Sequence, residues 1–173
     1  MNLRILIPAV AATGILSGCV TSKHEPMRAE PERPETQSYY LPNAEASQTV
    51  SVTKAGPAAM SILIQTHRAA VNETGPKEAI ARFGEVYSFS PNFIAVHRDE
   101  PTRIRFWNLQ PDDQHAFMLL DPKMNVMMNV PLPPVRETSF VFTFHKEGLF
   151  YFYCSKHQPS MNGQILVLPP MPP

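Results

Sequence analysis

The chain has 173 residues and no formal net charge at neutral pH, because 15 basic side chains balance 15 acidic ones. A length of this order predicts one domain of ordinary size. The balanced charge argues against the basic surface that nucleic-acid binding requires, so we expect no nucleic-acid partner.

The N-terminus has the layout of an export signal. Arg4 precedes an apolar stretch from Ile5 to Leu16, and small residues follow as far as Cys19. This stretch is too short to cross a bilayer as a helix of the mature protein. The N-terminus therefore predicts export from the cytoplasm.

The sequence LSGC, which ends at Cys19, resembles the lipobox of bacterial lipoproteins. The resemblance implies that residues 1–18 are a signal peptide and that Cys19 is the lipid attachment site. Val20 in place of Asp implies transfer to the outer membrane, on its periplasmic side. The alternative is a plain secretory signal that is cleaved elsewhere.

Cysteine usage makes the second thiol informative. If Cys19 is acylated, Cys154 is the one cysteine left, and the mature chain forms no internal disulfide. A lone thiol in an oxidising compartment is a liability unless it is buried or occupied. A bound metal ion would occupy it.

Two segments are predicted between the anchor and the main domain. Residues 19–50 are rich in Glu, Pro, Ser and Thr and predict a disordered linker, in which His24 and Met27 would be solvated. Residues 51–77 predict a helical extension. Its helix would run from Gly56 to Asn72, with apolar side chains at helical spacing and with His67 on that face as a packed or half-exposed residue.

From residue 78 the apolar period changes to two, as in Phe140, Phe142 and Phe144. Short strands separated by Pro and Gly turns predict an all-β sandwich over residues 78–168, followed by a Pro-rich tail at 169–173. Other strands are predicted around Ile104 and Phe106 and at Ala79 to Ser88, Phe93 to His97, His115 to Asp121, Leu149 to Cys154 and Gln164 to Leu168.

The stretch FYFYCSKHQPSMNG carries the most specific chemical signal. Cys154 lies on the same strand face as Phe150 and Phe152, so it would point inward at the strand's end. His157 and Met161 follow on one tight loop. A thiolate, an imidazole and a thioether together suit copper, and a second imidazole would complete the set.

The second imidazole must come from elsewhere in the chain. His115 is favoured because it opens a strand after a loop of Pro and Asp. His97 and His145 are rivals. His145 precedes the turn that leads into the strand bearing Cys154, which predicts that it lies at the opposite end of the sandwich.

Residues 78–168 resemble the cupredoxins, the small blue copper proteins, through the segment EGLFYFYCSKHQPSMNGQILV. The resemblance implies a Greek-key sandwich that holds one type 1 copper ion, with His115, Cys154 and His157 as equatorial ligands and Met161 as the axial ligand. It also implies electron transfer rather than catalysis, with a redox protein such as a cytochrome, an oxidase or a reductase as partner. Many members have Asn where this chain has Ala116.

Three other functions remain open at the level of sequence. Copper delivery or tolerance is supported by a run that contains Met118, Met124, Met127 and Met128, although methionines also fill gaps in cores. A copper-free interaction module would retain the fold without the metal. Nucleophilic catalysis by Cys154 with His157 would need an open substrate site, which an inward-facing cysteine lacks.

Overall fold

The computed structural model describes residues 39–172, so the export signal, the lipobox and most of the predicted linker lie outside the described residues. A short 3-10 helix is followed by ten strands and one α-helix. The bounds are Ala46–Gln48 for the 3-10 helix, β1 Val50–Thr53, β2 Met60–Ala70, α1 Lys77–Phe83, β3 Val86–Ser90, β4 Phe93–His97, β5 Thr102–Asn108, β6 His115–Leu120, β7 Val126–Leu132, β8 Arg136–Phe144, β9 Gly148–Tyr153 and β10 Asn162–Leu168.

The strands form two five-stranded sheets. One sheet has the order β1-β8-β5-β2-β3, and the other has the order β4-β10-β9-β6-β7. β2 runs parallel to β5 and β4 runs parallel to β10, while the remaining neighbours are antiparallel. Most neighbours are thus antiparallel pairs, as is usual when two sheets share one core.

Aromatic side chains from both sheets fill the space between them. Ring centroids lie 4.4 Å apart for Phe106 and Phe117, 5.0 Å apart for Phe144 and Phe150, and 5.3 Å apart for Phe89 and Phe152. Each pair joins one sheet to the other, and such contacts stabilise a core beyond the area they bury. The predicted all-β sandwich is confirmed.

The period-two segments form the strands that the sequence predicts. β4 has the predicted bounds, and β5, β6, β8, β9 and β10 cover the predicted segments within a few residues. On β9, Phe150 and Phe152 are buried whereas Leu149, Tyr151 and Tyr153 are only partly buried. The alternation therefore carries Cys154, the next residue on the buried face, into the core.

The predicted helical extension at residues 51–77 is wrong, because most of that segment forms β1 and β2. In β2, Ile64 and Thr66 are buried whereas Ser61 and His67 are exposed. This is a period of two, with β-branched residues on the inner face, and the strand is bonded to β3 on one side and β5 on the other. Pairing on both sides outweighs a helical pattern in a short apolar run.

The short helix that the sequence predicts exists, but it lies at Lys77–Phe83. The strand predicted at Ala79 to Ser88 is therefore wrong in its first half, and β3 begins at Val86. Pro76 immediately precedes α1, Glu78 lies in its first turn and Arg82 in its last, which suits the dipole of a helix.

The predicted linker at 19–50 extends too far along the chain. Tyr40 forms an isolated β-bridge with Asn129 of β7, with N···O distances of 2.7 and 3.0 Å, and Leu41 and Ala46 pack against the core. These apolar side chains bury enough surface to dock the segment. The methionine-rich run likewise contains a strand, β7, that the sequence analysis did not predict.

Within the described residues, no helix has the length and apolar character needed to cross a membrane.

Candidate metal centre

Three donor atoms meet at one end of the sandwich. His115 is the first residue of β6, Cys154 follows β9 directly, and His157 lies in the loop between β9 and β10. The ligand atoms of these three residues all lie within 4.8 Å of one another. The Nδ1 atoms of the two histidines are 2.9 Å apart, and the sulfur of Cys154 is 3.5 Å from Nδ1 of His157. The structure thus brings together three of the four predicted ligands.

Met161, the fourth predicted ligand, is fully buried on the same loop. The loop is closed by main-chain hydrogen bonds. The N–H of Cys154 donates to the carbonyl of Met161 at 2.8 Å, and the N–H of Met161 donates to the carbonyl of His157 at 3.1 Å. These bonds hold Met161 next to the cysteine in the fold. Its role as axial ligand stays a prediction.

Gly163 lets the loop return into β10. A Cβ atom at this position would overlap the ring of Phe152 and the carbonyl oxygen of Asn92. Phe152 is the register partner of Gly163 across the β9–β10 pair. The glycine next to the predicted ligand loop is therefore required by close approach of its neighbours.

The other described histidines lie away from this cluster. His97 pairs in register with Leu168, at the far end of β10, and its Nδ1 is 2.6 Å from the carbonyl oxygen of Pro169. His145 lies in the turn before β9 and contacts Asp99 and Ser51, whereas Cys154 follows the other end of that strand. His67 is exposed on β2. His115 is thus the described histidine that joins Cys154 and His157, and neither rival does.

The environment of the Cys154 sulfur combines burial with main-chain donors. Burial raises the pKa of the thiol, and this effect is opposed by the N–H groups of Ala116, Lys156 and His157. The N–H of Ala116 lies 3.3 Å from the sulfur. Such donors stabilise the negative charge that a thiolate ligand carries.

The two imidazoles are held in the form that can bind a metal. Burial lowers the pKa of His115 to about 4, with a further lowering from His157 and a partial opposing effect of Asp113. Burial also lowers the pKa of His157. Both rings are therefore neutral at neutral pH, and a neutral imidazole has a lone pair to offer.

Tyr87 of β3 packs on both imidazoles, a contact that the sequence analysis did not predict. Its ring centroid lies 4.4 Å from that of His157 and 5.0 Å from that of His115. The hydroxyl lies 3.1 Å from a carboxylate oxygen of Glu85 and also contacts Asp113. Burial is the main cause that raises the pKa of Tyr87, and the two carboxylates raise it further. The alternation of Tyr87 and Phe89 was the sequence signal that both face inward.

A buried polar network also contacts His115, and it too was not predicted from the sequence. Thr66, Asn108 and Gln110 are each at most 4% exposed, and Gln110 contacts the His115 ring. In the sequence, Gln110 stands only as the residue before the Pro and Asp residues of the loop that precedes His115. Polar residues at buried positions leave no periodic signal, so only the fold reveals them.

The chemistry of the donor set fits copper. A thiolate and two imidazole nitrogens suit copper, whereas Mg²⁺ and Ca²⁺ prefer oxygen ligands, and this group contains no carboxylate. The donors are buried or half-buried, two of them at strand ends and His157 on the loop between β9 and β10. His115, Cys154 and His157 could hold one copper ion.

No protein-family model matches the chain, and no curated protein matches it. Among solved structures, auracyanin B is 13% identical, over 70% of this chain and 99% of that chain, with a TM-score of 0.48. Auracyanin A, a "blue" copper protein from Chloroflexus aurantiacus, is 17% identical, over 62% and 98%, with a TM-score of 0.46. A copper nitrite reductase from Nitrosomonas europaea is 12% identical, over 66% and 51%, with a TM-score of 0.49.

All three TM-scores are below 0.5, and the identities are at most 17%. At this level of identity the likeness concerns the fold. The assignment of the metal centre rests on the donors and distances of the chain itself.

Proposed function

We propose that the protein is a mononuclear copper protein that carries single electrons and is not an enzyme. The observation that supports this most is the convergence of the His115, Cys154 and His157 ligand atoms within 4.8 Å at a buried end of the sandwich. A copper ion bound there would supply one-electron chemistry through its Cu(II) and Cu(I) states. The chain would supply the ligands, the shielding and a route to the surface.

The donors are held by rigid elements. His115 begins β6 and Cys154 directly follows β9. These two strands pair with each other, and the amide N–H of Ala116 reaches the sulfur from β6. Fixed ligand positions reduce the rearrangement that accompanies each change of charge. The family's Asn is replaced by the fully buried Ala116, which makes no side-chain bond but keeps its main-chain bond to the sulfur.

The route for electrons would be His157, which is only partly buried whereas His115 and Cys154 are fully buried. Leu109 is 52% exposed, and Pro111 and Pro159 are exposed as well. These apolar residues come from the two loops that carry or precede the histidine ligands. An apolar rim suits brief docking of a redox partner such as a cytochrome, an oxidase or a reductase.

The setting would be the cell envelope. We propose that Cys19 carries the lipid and that the domain is periplasmic. The Cys19→Ser protein should therefore incorporate no labelled lipid. Continued labelling would contradict the lipobox. Attachment at the outer membrane is the further expectation from Val20.

Copper delivery or tolerance is the alternative function. Met127 and Met128 are 6% and 0% exposed and belong to the core, while Met118 is partly buried and Met124 is 56% exposed. The burial of Met127 and Met128 supports a packing role for these two. A Cu(I) titration separates the functions, because more than one tightly bound ion per chain would favour copper handling.

The direct test is the spectrum of the detergent-solubilised protein after one equivalent of Cu(II). We expect an intense visible thiolate-to-copper charge-transfer band and the matching paramagnetic-resonance signal, both lost in Cys154→Ser. A protein that binds no copper, or shows no such band with Cys154 intact, would contradict the proposal.

A further inference from the structure

Gln110 is a buried amide beside the metal centre to which no role has been assigned. It lies in the loop between β5 and β6, five residues before His115, and is 4% exposed. A buried carboxamide must satisfy both its oxygen and its nitrogen or destabilise the fold. Its partners therefore reveal how it is oriented.

The orientation of the Gln110 amide follows from a partner that can only accept. Its Nε2 lies 3.3 Å from the main-chain carbonyl oxygen of Thr66. A carbonyl cannot donate, so the NH₂ group must face it and the amide oxygen must face the other way. That oxygen, Oε1, lies 2.9 Å from Nε2 of His115.

The orientation of Gln110 fixes the proton on His115. Because Oε1 can only accept, Nε2 of His115 must donate, and a neutral imidazole carries one proton. The lone pair is therefore on Nδ1. This is the atom that lies 2.9 Å from Nδ1 of His157, within the cluster that includes the sulfur of Cys154.

We propose that Gln110 is the positioning residue of the metal centre: it selects the Nε2–H tautomer of His115 and directs Nδ1 toward the copper. Its relevance to copper rests on the proposed function. Outer partners of this kind orient a ligand and raise its basicity.

Gln110 is itself held in place by two buried neighbours. Its main-chain N–H donates to Oδ1 of Asn108 at 3.1 Å, and the hydroxyl of Thr66 contacts its amide oxygen. Asn108 is fixed in turn by donating to the carbonyl oxygens of Asp113 at 2.7 Å and Leu132 at 2.9 Å. The network links β2, β5, β7 and the loop before β6, so the position of Gln110 is set by both sheets.

The first experiment needs no copper. Nitrogen-15 NMR of the metal-free, detergent-solubilised full chain at neutral pH reports which ring nitrogen of His115 carries the proton. We expect the proton on Nε2. A wild-type spectrum with the proton on Nδ1 overturns the proposal, whatever any variant does.

The second experiment compares variants. Gln110→Leu removes the acceptor, Gln110→Glu keeps an accepting oxygen, and Gln158→Leu is the control. Gln158 is an exposed glutamine on the ligand loop, whose amide donates to the carbonyl of Cys154 at 3.1 Å. We expect Gln110→Leu to lose the single Nε2–H signal and to bind copper about 10–100-fold more weakly. Gln110→Glu should retain the signal, and Gln158→Leu should leave it unchanged.

A folded Gln110→Leu protein with the wild-type tautomer and wild-type copper affinity would overturn the positioning role. If Gln110→Leu does not fold, loss of the Nε2–H signal in Gln110→Glu has the same consequence. Failure of the proposed function appears differently. If the protein shows the Nε2–H tautomer but forms no charge-transfer band with Cu(II), Gln110 still orients His115, but the proposal of a copper electron carrier is wrong.

Discussion

The two ends of the sandwich each hold histidines, but in opposite environments. At one end, His115 is fully buried, contacts Gln110 and Tyr87, and lies beside another imidazole and a thiol. At the other end, His145 is partly exposed, with Nδ1 2.9 Å from a carboxylate oxygen of Asp99 and Nε2 3.1 Å from the hydroxyl of Ser51. The environment of a histidine, more than its presence, decides whether it can serve as a ligand.

The largest expected difference between the ends concerns copper. His115→Ala should abolish the thiolate-to-copper charge-transfer band, because it removes a donor within 4.8 Å of the sulfur. His145→Ala should keep the band, because its contacts are with Asp99 and Ser51. Visible spectroscopy with one equivalent of Cu(II) checks both variants. Retention of the band in His115→Ala and its loss in His145→Ala would reverse the assignment.

The next effect concerns the packing beneath the metal centre. Phe152 is 1% exposed, lies two residues before Cys154 and contacts Phe89 and Phe117. Phe152→Ala should lower the free energy of unfolding by about 3–5 kcal/mol, as is usual for a buried aromatic side chain. Urea unfolding measures this loss.

The matched control is Phe93→Ala on β4, since Phe93 is 52% exposed. Its effect should be much smaller. Equal losses in the free energy of unfolding for both variants would contradict the conclusion that buried packing of Phe152 stabilises the end of the sandwich that carries the ligands.

A smaller effect is expected from pH in the metal-free protein. Burial lowers the pKa of His115 to about 4 in the folded state, from about 6.5 in an unfolded chain. The unfolded chain therefore binds the proton first as the pH falls. The free energy of unfolding is therefore at its full value above about pH 6.5. It decreases as the pH falls toward 4, by up to about 3 kcal/mol, because protonation of His115 favours the unfolded chain.

Urea unfolding between pH 7.5 and 4.5 tests this dependence. His115→Asn should show a shallower decline than the wild type, because it removes the group that takes up the proton. Identical declines in the two proteins would show that His115 is not the source.

The smallest effect is expected at the opposite end. Asp99→Asn removes the carboxylate of an exposed contact with His145, and even a fully charged exposed pair contributes only about 0–1 kcal/mol. Thermal or urea unfolding should therefore change little, and the copper band should not change. A large loss of stability would mean that this end of the sandwich depends on the contact between Asp99 and His145.

Much of the fold can be predicted from local alternation. The strands around Phe106, Phe150 and Ile165 can be predicted directly from their period of two, because one face of each is buried and the other is only partly buried. The segment from Gly56 to Asn72 could not be assigned correctly from its local pattern. Its apolar residues fit a helical spacing as well as an alternating one, and the choice was made by pairing with β3 and β5, which no local pattern reveals.

The candidate site divides in the same way. Cys154, His157 and Met161 are close in sequence, so their spacing could predict a shared loop. His115 required an argument about which end of the sandwich its strand begins at, and the structure places it beside the other two. Gln110, Thr66 and Tyr87 could not be predicted, since their roles arise from contacts between elements that are distant in sequence.

The bridge between Tyr40 and Asn129 has a consequence for self-association. β7 is the outer strand of its sheet, and outer strands offer unpaired N–H and carbonyl groups to other chains. Tyr40 occupies both main-chain groups of Asn129. The segment that leads toward the proposed anchor thus also caps a sheet edge, so its removal should make the domain more prone to aggregate through strand addition.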